Sequence, residues 1–341
     1  MKKILVTGGA GYIGSHTVVE LVNAGYTPVI IDNFSNSEPF VLSRLENIVG
    51  KKISFYEGDV CDHVFLAQVF KKEKDIFGAI HFAAFKAVGE SVEKPVAYYR
   101  NNIESTMTLL ETMQQFDCTN LVFSSSCTVY GQADKLPVTE NTPRKEAESP
   151  YGNTKKICED IIRDFIHSGS GLKAVSLRYF NPIGAHPSSQ IGELPLGVPA
   201  NLVPFITQTA AGIRDSLKVF GNDYNTPDGT CIRDYIHVTD LAKAHVKSIE
   251  YLENTGGDKA YDTFNVGVGK GHTVLEVIKA FEKGTGVKLN YDIVGRRAGD
   301  VEKIYADTNK ATNLLHWKAE KTLEEALKDA WGWQLSLEKK S

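Results

Sequence analysis

The sequence has few of the features of a secreted, metal-binding or membrane protein. Its five cysteines are odd in number, scattered and without CxxC spacing, which argues against a disulfide framework or zinc site and favours a reducing compartment. The nine histidines form no HxxxH or HExxH pattern, so no metal site is expected. Glycines soon interrupt the apolar start "MKKILVTGGAGYIG", and no long apolar run follows. The sequence therefore predicts a cytoplasmic protein.

A basic excess is also absent. The chain has 38 Lys and Arg against 42 Asp and Glu, a formal net charge of −4. Neither nucleic acid nor an anionic membrane is therefore an expected partner. Any anionic ligand must be held by a few local arginines and backbone amides. The 341 residues, 42% of them hydrophobic, suffice for one large α/β unit with a smaller lobe.

The first half of the chain alternates short apolar runs with helical segments. Buried parallel strands are predicted at 3–7, 28–32, 53–59, 79–84, 120–126 and 173–180, and residues 262–267 could add another. Helices are predicted between them, including Ser15–Ala24, Phe65–Lys72 and Asn102–Phe116. Repeated βα units of this kind predict an α/β fold with a Rossmann-type doubly wound parallel sheet.

After Phe180 the composition changes. Residues 181–204 are rich in proline and glycine and too long for a simple connection, which indicates a functional segment. Helices near 202–212, 240–253 and 323–334 and a strand at 217–221 follow. We therefore divide the chain into residues 1–180, with the sheet, and residues 181–341, mainly a smaller mixed α/β lobe with segments that return to the first domain.

The stretch "VTGGAGYIGSH" follows the first strand and opens the first helix. Gly8, Gly11 and Gly14 have GxxGxxG spacing, and Gly9 adds the overlapping GxGxxG pattern. Such glycines let a pyrophosphate approach the helix N-terminus, although any tight βα turn also needs glycine. Asp32, about 20 residues further on, is placed to accept from an adenine ribose 2′-OH, which favours NAD over NADP. Its alternative role is to cap a turn.

The stretch "SPYGNTKK" predicts a helix start with Ser149 as N-cap and Pro150 in the first turn. Tyr151 and Lys155 are then neighbours on one helix face, although such pairs also occur by chance. An ammonium about 4 Å from a phenol is worth roughly 4 kcal/mol, or about three pKa units, at an effective dielectric near 20. The pair therefore predicts a base that titrates near pH 7. Ser126, in a serine run that could also form a turn, is predicted to hydrogen-bond the same substrate oxygen.

These stretches carry a family resemblance. "TGGAGYIG", "SSS" and "YGNTK" resemble the extended short-chain dehydrogenases/reductases, and the longer strings "HFAAFKAVGESVEKP", "LRYFNPIGAHPS", "FGNDY", "DGTCIRDYIHV" and "GRRAGD" resemble the UDP-glucose 4-epimerases over essentially the whole chain. The resemblance implies a tightly bound NAD and reversible inversion at C4 of UDP-hexoses, UDP-galactose to UDP-glucose, through a 4-keto intermediate. Tyr151 would be the acid/base, and Lys155 would also hold the nicotinamide ribose. A homodimer through helix 102–116 and the Tyr151 helix is implied too.

The resemblance also implies ligand contacts. Around NAD it implies Gly8, Gly11, Tyr12, Ile13, Gly14, Asp32, Asn33, Asn36, Ser37, Asp59, Val60, Phe82, Ala83, Ala84, Lys86, Asn101, Lys155 and Phe180. Around the UDP-sugar it implies Lys86, Ser126, Tyr151, Asn181, Asn201, Leu202, Phe220, Arg233, Arg297, Asp300 and Ile304. Arginines are suited to clamping a diphosphate, although surface ion pairing is their commoner role.

Three other functions are considered. A nucleotide-sugar 4,6-dehydratase would have an Asp–Glu pair where this chain has Cys127 and Thr128. A UDP-glucuronate decarboxylase of the same fold is excluded only by product analysis. A non-catalytic NAD-sensing protein has no need of the Tyr–Lys–Ser combination.

The residue four after Asp300 borders the sugar C2 substituent in the family, where tyrosine excludes N-acetyl sugars and cysteine or serine admits them. Here Ile304 is intermediate in size and stiff. We expect roughly 10- to 200-fold discrimination against N-acetyl sugars, unless Ile304 only packs in the core.

Overall fold

The structure is a computed structural model that describes residues 1–254, 260–297 and 300–338. The strands are β1 (Lys3–Thr7), β2 (Thr27–Asp32), β3 (Ser54–Glu57), β4 (Ile76–His81), β5 (Asn120–Ser126), β6 (Lys173–Tyr179), β7 (Asn181–Ile183), β8 (Leu217–Phe220), β9 (Ile232–His237), β10 (Tyr261–Val266), β11 (Gly271–Thr273), β12 (Tyr291–Val294) and β13 (Lys303–Ile304).

The helices are α1 (Tyr12–Asn23), α2 (Phe40–Val49), α3 (His63–Glu73), α4 (Val88–Glu93), α5 (Pro95–Gln115), α6 (Pro150–His167), α7 (Leu202–Ala210), α8 (Val238–Asn254), α9 (Val274–Thr285), α10 (Asn309–Leu314) and α11 (Leu323–Glu338). A short 3₁₀ helix, Cys127–Tyr130, follows β5.

The main sheet contains seven strands among the described residues, in the order β10-β6-β5-β4-β1-β2-β3, and all neighbours are parallel. Alternate residues of β1 serve opposite faces: Ile4 and Val6 pack towards α1 and α8, and Leu5 packs towards α3, α5 and α6. Because both faces are covered, the inner strands β1, β2 and β4 are mostly apolar. The predicted Rossmann-type sheet is confirmed, and residues 261–266 do supply its last strand.

The lobe comprises β7, β8, β9, β11, β12 and β13 with α7, α9 and α11. Strand β9 pairs with β7, β11 and β13, while β8 pairs with β12. Apolar residues of α7, α9 and α11 form its core, among them Ile206, Phe281 and Leu327.

Some predicted boundaries were wrong. The helix expected from Asn102 already begins at Pro95, because proline suits the first turn of a helix. The helix expected from Ser15 begins at Tyr12, immediately after the glycine turn. The helices α2 and α4 were not predicted.

The carboxyl ends of the parallel strands meet at one edge of the main sheet, and the lobe covers that edge. A cavity of about 1300 Å³ lies between them. Ligands in open α/β sheets bind at this edge, so the fold itself indicates where a site belongs. In the part of the chain that the structure describes, no helix is both long and apolar enough to traverse a membrane.

Candidate active site

The cavity collects most of the predicted site residues. It is lined by Gly8, Gly11, Tyr12, Ile13, Gly14, Asp32, Asn33, Asn36, Ser37, Asp59, Val60, Phe82, Ala83, Ala84, Lys86, Asn101, Tyr151, Lys155, Asn181, Asn201, Arg233, Arg297, Asp300 and Ile304. Its volume exceeds the usual range of about 300–1,000 Å³ for one small ligand. The space therefore suits two nucleotides side by side.

Four predicted residues do not line the cavity. Ser126 is buried at the end of β5, and Phe180 is buried in a cluster with Cys127 and Ile304. Leu202 is the first residue of α7 and packs on the lobe core. Phe220 ends β8, partly exposed, with the Arg297 guanidinium 5.5 Å from its ring centre.

The glycine turn forms a cradle that a side chain would fill. Gly8 has φ +68°, and a Cβ on Gly14 would lie 2.2 Å from the Gly8 carbonyl oxygen. At the start of α1, the N-cap Gly11 offers no side-chain cap, and the first turn contains no acidic residue. Because the first amides of a helix lack intrahelical partners, this end is suited to an anion. The residues present fit a dinucleotide pyrophosphate.

Asp32, at the end of β2, caps a turn at the cavity wall. One carboxylate oxygen accepts from the Ala10 amide (3.0 Å), and the other accepts from the Phe34 amide and the Ser37 hydroxyl (each 2.9 Å). The residue therefore caps a turn. It also lines the cavity, and a carboxylate has about four acceptor positions, so it retains capacity for a ribose hydroxyl.

The helix α6 brings Tyr151 and Lys155 beside the end of β5. Ser149 caps the helix by accepting from the Gly152 amide (3.2 Å), as the sequence predicts. The Lys155 ammonium donates to the Ser124 carbonyl (2.7 Å) and lies 5.9 Å from the centre of the Tyr151 ring. The Ser126 hydroxyl, at the end of the same strand, interacts with the Tyr151 phenol. The three predicted catalytic residues are therefore neighbours.

The pKa of Tyr151 differs from our expectation. In this structure burial raises the pKa of the phenol well above its usual value, and the Ser126 hydrogen bond opposes that rise. Burial also lowers the pKa of Lys155 to about 8. The expectation of a phenol pKa near 7 was wrong for these surroundings, because desolvation penalises the phenolate and the ammonium is directed at the Ser124 carbonyl.

Asn102, on α5, makes contacts beside the cavity that the sequence analysis missed. Its side-chain oxygen accepts from the Phe85 amide (2.8 Å), and its side-chain nitrogen donates to the Phe85 carbonyl and to the Thr154 hydroxyl (each 3.0 Å). It thereby fixes the cavity-lining loop after β4 to the catalytic helix. The sequence around Asn102 contains no local pattern that indicates these contacts, because Phe85 and Thr154 lie far from it along the chain.

At the lobe end of the cavity two arginines converge on one carboxylate. Arg297 donates to both oxygens of Asp300 (3.2 and 2.8 Å), and the Arg233 guanidinium lies 3.7 Å from the same residue. Both arginines therefore form ion pairs, as the alternative considered for them expects, but these pairs line the cavity. Positive groups held in this way can meet a diphosphate.

Glu193 is a second missed residue, from the proline- and glycine-rich segment. Its carboxylate accepts from Lys86 (3.0 Å) and from the Asn201 side chain (2.6 Å), and its carbonyl accepts from the Trp333 indole (2.9 Å). It therefore joins a loop of the main sheet to the start of α7 across the cavity. The composition of the segment indicated that it matters for function, but it did not indicate that Glu193 makes these contacts.

Ile304, in β13, belongs both to a buried cluster and to the cavity wall. It is 5% exposed, pairs with Arg233 across β13 and β9, and packs in a cluster with Cys127. It also lines the cavity. Its packing in the core is therefore confirmed, and its role towards the sugar stays a prediction.

A tyrosine and a lysine one turn apart, on the helix after the fifth strand of a doubly wound sheet, define the class of extended short-chain dehydrogenases/reductases. Comparison with known proteins agrees. A family model described as GDP-mannose 4,6 dehydratase matches residues 5–330. UDP-glucose 4-epimerase 2 of Arabidopsis thaliana is 50% identical over 335 residues, which are 97% of this chain and 95% of that protein.

UDP-glucose 4-epimerase of Bacillus subtilis (strain 168) is 50% identical over 333 residues, 98% of this chain and 97% of that protein. The crystal structure of UDP-glucose 4-epimerase from Bifidobacterium longum in complex with NAD⁺ and UDP has a TM-score of 0.93 and 47% identity, and the match covers 98% of each chain. The chain therefore belongs to the UDP-glucose 4-epimerases, and the predicted resemblance is confirmed.

Proposed function

We propose that the protein interconverts UDP-galactose and UDP-glucose by inverting C4 of the hexose, with NAD as its cofactor. The observation that carries this proposal is that Tyr151 and Lys155 line the same cavity as the glycine cradle, with the buried Ser126 hydroxyl beside the Tyr151 phenol. When bound, NAD supplies a reversible hydride acceptor. The 50% identity to UDP-glucose 4-epimerases supports epimerisation over dehydration, as do Cys127 and Thr128, which cannot serve as an acid–base pair.

In this proposal the side chains divide the work. The Tyr151 phenolate, favoured by the Lys155 charge, takes the proton from the 4-hydroxyl of the sugar, and the phenol so formed later returns it to the 4-oxygen of the inverted sugar. The Ser126 hydroxyl hydrogen-bonds that oxygen. Lys155, oriented by the Ser124 carbonyl, contributes a positive charge and a donor for a ribose hydroxyl. Burial supports this chemistry because it excludes water from the exchanging proton.

The test is to incubate the purified protein with UDP-galactose, without added NAD, and to follow the products by NMR. We expect UDP-glucose, with Tyr151→Phe as the inactive control. A 4-keto-6-deoxy product would instead identify a dehydratase. Pentose formation from UDP-glucuronate would identify a decarboxylase, and binding of NAD without turnover would identify a sensor.

Assembly and location are also proposed. We propose a homodimer that pairs α5 and α6 of two copies. Outward-facing Val96 and Met107 on α5 support an apolar contact there. Sedimentation analysis should give a mass twice that of the chain. The five cysteines are free, which supports a reducing compartment such as the cytoplasm. The proposed reaction on UDP-galactose would place the protein in galactose metabolism.

A further inference from the structure

A buried ion pair lies directly behind the catalytic residues. Glu159 lies one helical turn after Lys155 on α6, and Arg178 lies on β6; both are almost fully buried. The Arg178 guanidinium donates to both Glu159 oxygens (2.9 and 2.7 Å). This two-pronged geometry fixes the direction of both side chains as well as their distance.

The same carboxylate also holds β5. The Ser125 hydroxyl donates to Glu159 (2.6 Å), and Ser125 pairs with Arg178 in the register of β5 and β6. Ser125 lies between Ser124, whose carbonyl accepts from Lys155, and Ser126. One carboxylate therefore connects the helix and both strands at the level of the catalytic residues.

Stability alone is a weak reason for such a pair, because desolvation of two charges offsets much of their attraction. A more specific effect follows from its place. A shift of α6 along β5 would separate Lys155 from the Ser124 carbonyl, and the bonds from Glu159 to Arg178 and Ser125 oppose that shift.

We propose that Glu159 and Arg178 are positioning residues, which hold α6 and β5 in the register that brings Tyr151, Lys155 and Ser126 together. The inference rests on the proposed function of that site. Neither residue lines the cavity, so both act through the residues that do.

The Glu159 charge also affects the pKa of Lys155. The titratable groups around this ammonium are Tyr151, Cys158 and Glu159 on α6, His81 on β4 and Tyr179 on β6. Burial lowers the pKa of Lys155 to about 8, and the Glu159 charge opposes that fall. Without the carboxylate the pKa should fall further, so activity should be lost at a lower pH on the alkaline side.

The experiment compares Ser125→Ala, Arg178→Lys and Glu159→Gln with wild type. Lys247→Gln is the control, because Lys247 pairs with Glu250 (2.6 Å) on α8, on the other face of the sheet and outside the cavity wall. For Ser125→Ala and Arg178→Lys we expect kcat for UDP-galactose to fall about tenfold, with KM changed by less than about twofold. For Glu159→Gln we also expect the alkaline limb of the pH profile to move down by about one unit.

Crystal structures of Ser125→Ala and Arg178→Lys provide a measure that does not depend on turnover. We expect the distance from the Lys155 ammonium to the Ser124 carbonyl to exceed its present 2.7 Å. A wild-type protein that fails to epimerise would overturn the proposed function, and this distance would still decide the positioning role.

If Ser125→Ala and Arg178→Lys only lower the melting temperature, with kcat, the pH profile and this distance unchanged, the pair is merely structural and the inference is wrong. Because Ser125→Ala removes one hydroxyl and leaves the ion pair intact, this comparison remains available even if Glu159→Gln fails to fold.

Discussion

The main sheet and the lobe hold their cavity residues in different ways. The sheet side uses the backbone: the Lys155 ammonium donates to a strand carbonyl, and Asp32 accepts from two backbone amides. On the lobe side the Arg233 guanidinium also donates to a carbonyl, that of Ile232, but Arg297 is held by the Asp300 side chain and is 55% exposed. Backbone anchors allow little adjustment, whereas exposed ion pairs exchange partners readily. We therefore expect variants of Tyr151 and Lys155 on the sheet side to change kcat, and variants of Arg297 on the lobe side to change KM.

Tyr151→Phe should give the largest effect. We expect kcat to fall by roughly 10³-fold, within the range of acid–base catalysis, while bound NAD is retained because only a hydroxyl is lost. The measurement is turnover of UDP-galactose together with the NAD content of the purified variant. Near-normal turnover would contradict the acid/base assignment.

Lys155→Met should lower kcat by about 10²-fold and reduce NAD retention. Its residual activity should rise with pH, because the phenol must then ionise without a nearby ammonium. Wild type should behave in the opposite way and lose activity as Lys155 deprotonates above its pKa of about 8. The measurement is kcat from pH 6 to 10 for wild type and for the variant. A flat profile for the variant would count against the charge effect.

Arg297→Gln tests the lobe side. Losing a charge-assisted contact to a diphosphate costs about 1.5–3 kcal/mol, so KM for UDP-galactose should rise roughly 10- to 100-fold with kcat little changed. The neighbouring Arg296→Gln is the control, because Arg296 pairs with Asp223 and does not line the cavity. Equal effects of the two substitutions would mean that charge alone, and not position, matters.

Asp32→Gly should shift cofactor preference by about tenfold. Removing the carboxylate removes both an acceptor for the 2′-hydroxyl and the repulsion of a 2′-phosphate. Dissociation constants for NAD and NADP, measured on protein freed of endogenous nucleotide, give the ratio. An unchanged ratio would place recognition of the adenine ribose elsewhere.

Ile304→Ala should have the smallest effect. We expect wild type to prefer UDP-galactose over UDP-N-acetylgalactosamine, and the smaller side chain should reduce that preference several-fold. Ile304→Tyr should increase it. The measurement is kcat/KM for both sugars in the three proteins; a constant ratio would leave Ile304 as a core residue only.

The sequence predicts the main sheet better than the contacts between the sheet and the lobe, because the sheet depends on local signals and those contacts do not. The main sheet follows from local signals, since apolar runs, the glycine turn and the Ser149 cap each act within a few residues. The contacts of Glu193 with Lys86 and Trp333 join positions more than 100 residues apart and leave no local pattern. The pKa expected for Tyr151 was too low because burial, which raises it, is a property of the whole fold. The division at residue 180 and the ligand contacts of individual residues stay predictions.

The order of strands in the main sheet has a consequence for synthesis of the chain. The edge of β6 is covered by β10, which leaves the ribosome about 80 residues later. At about 5–20 residues per second, β6 waits several seconds without its neighbour. An unpaired apolar strand edge is prone to pair with other chains. Nascent chains halted before residue 261 should therefore recruit chaperones more strongly than those halted after residue 266.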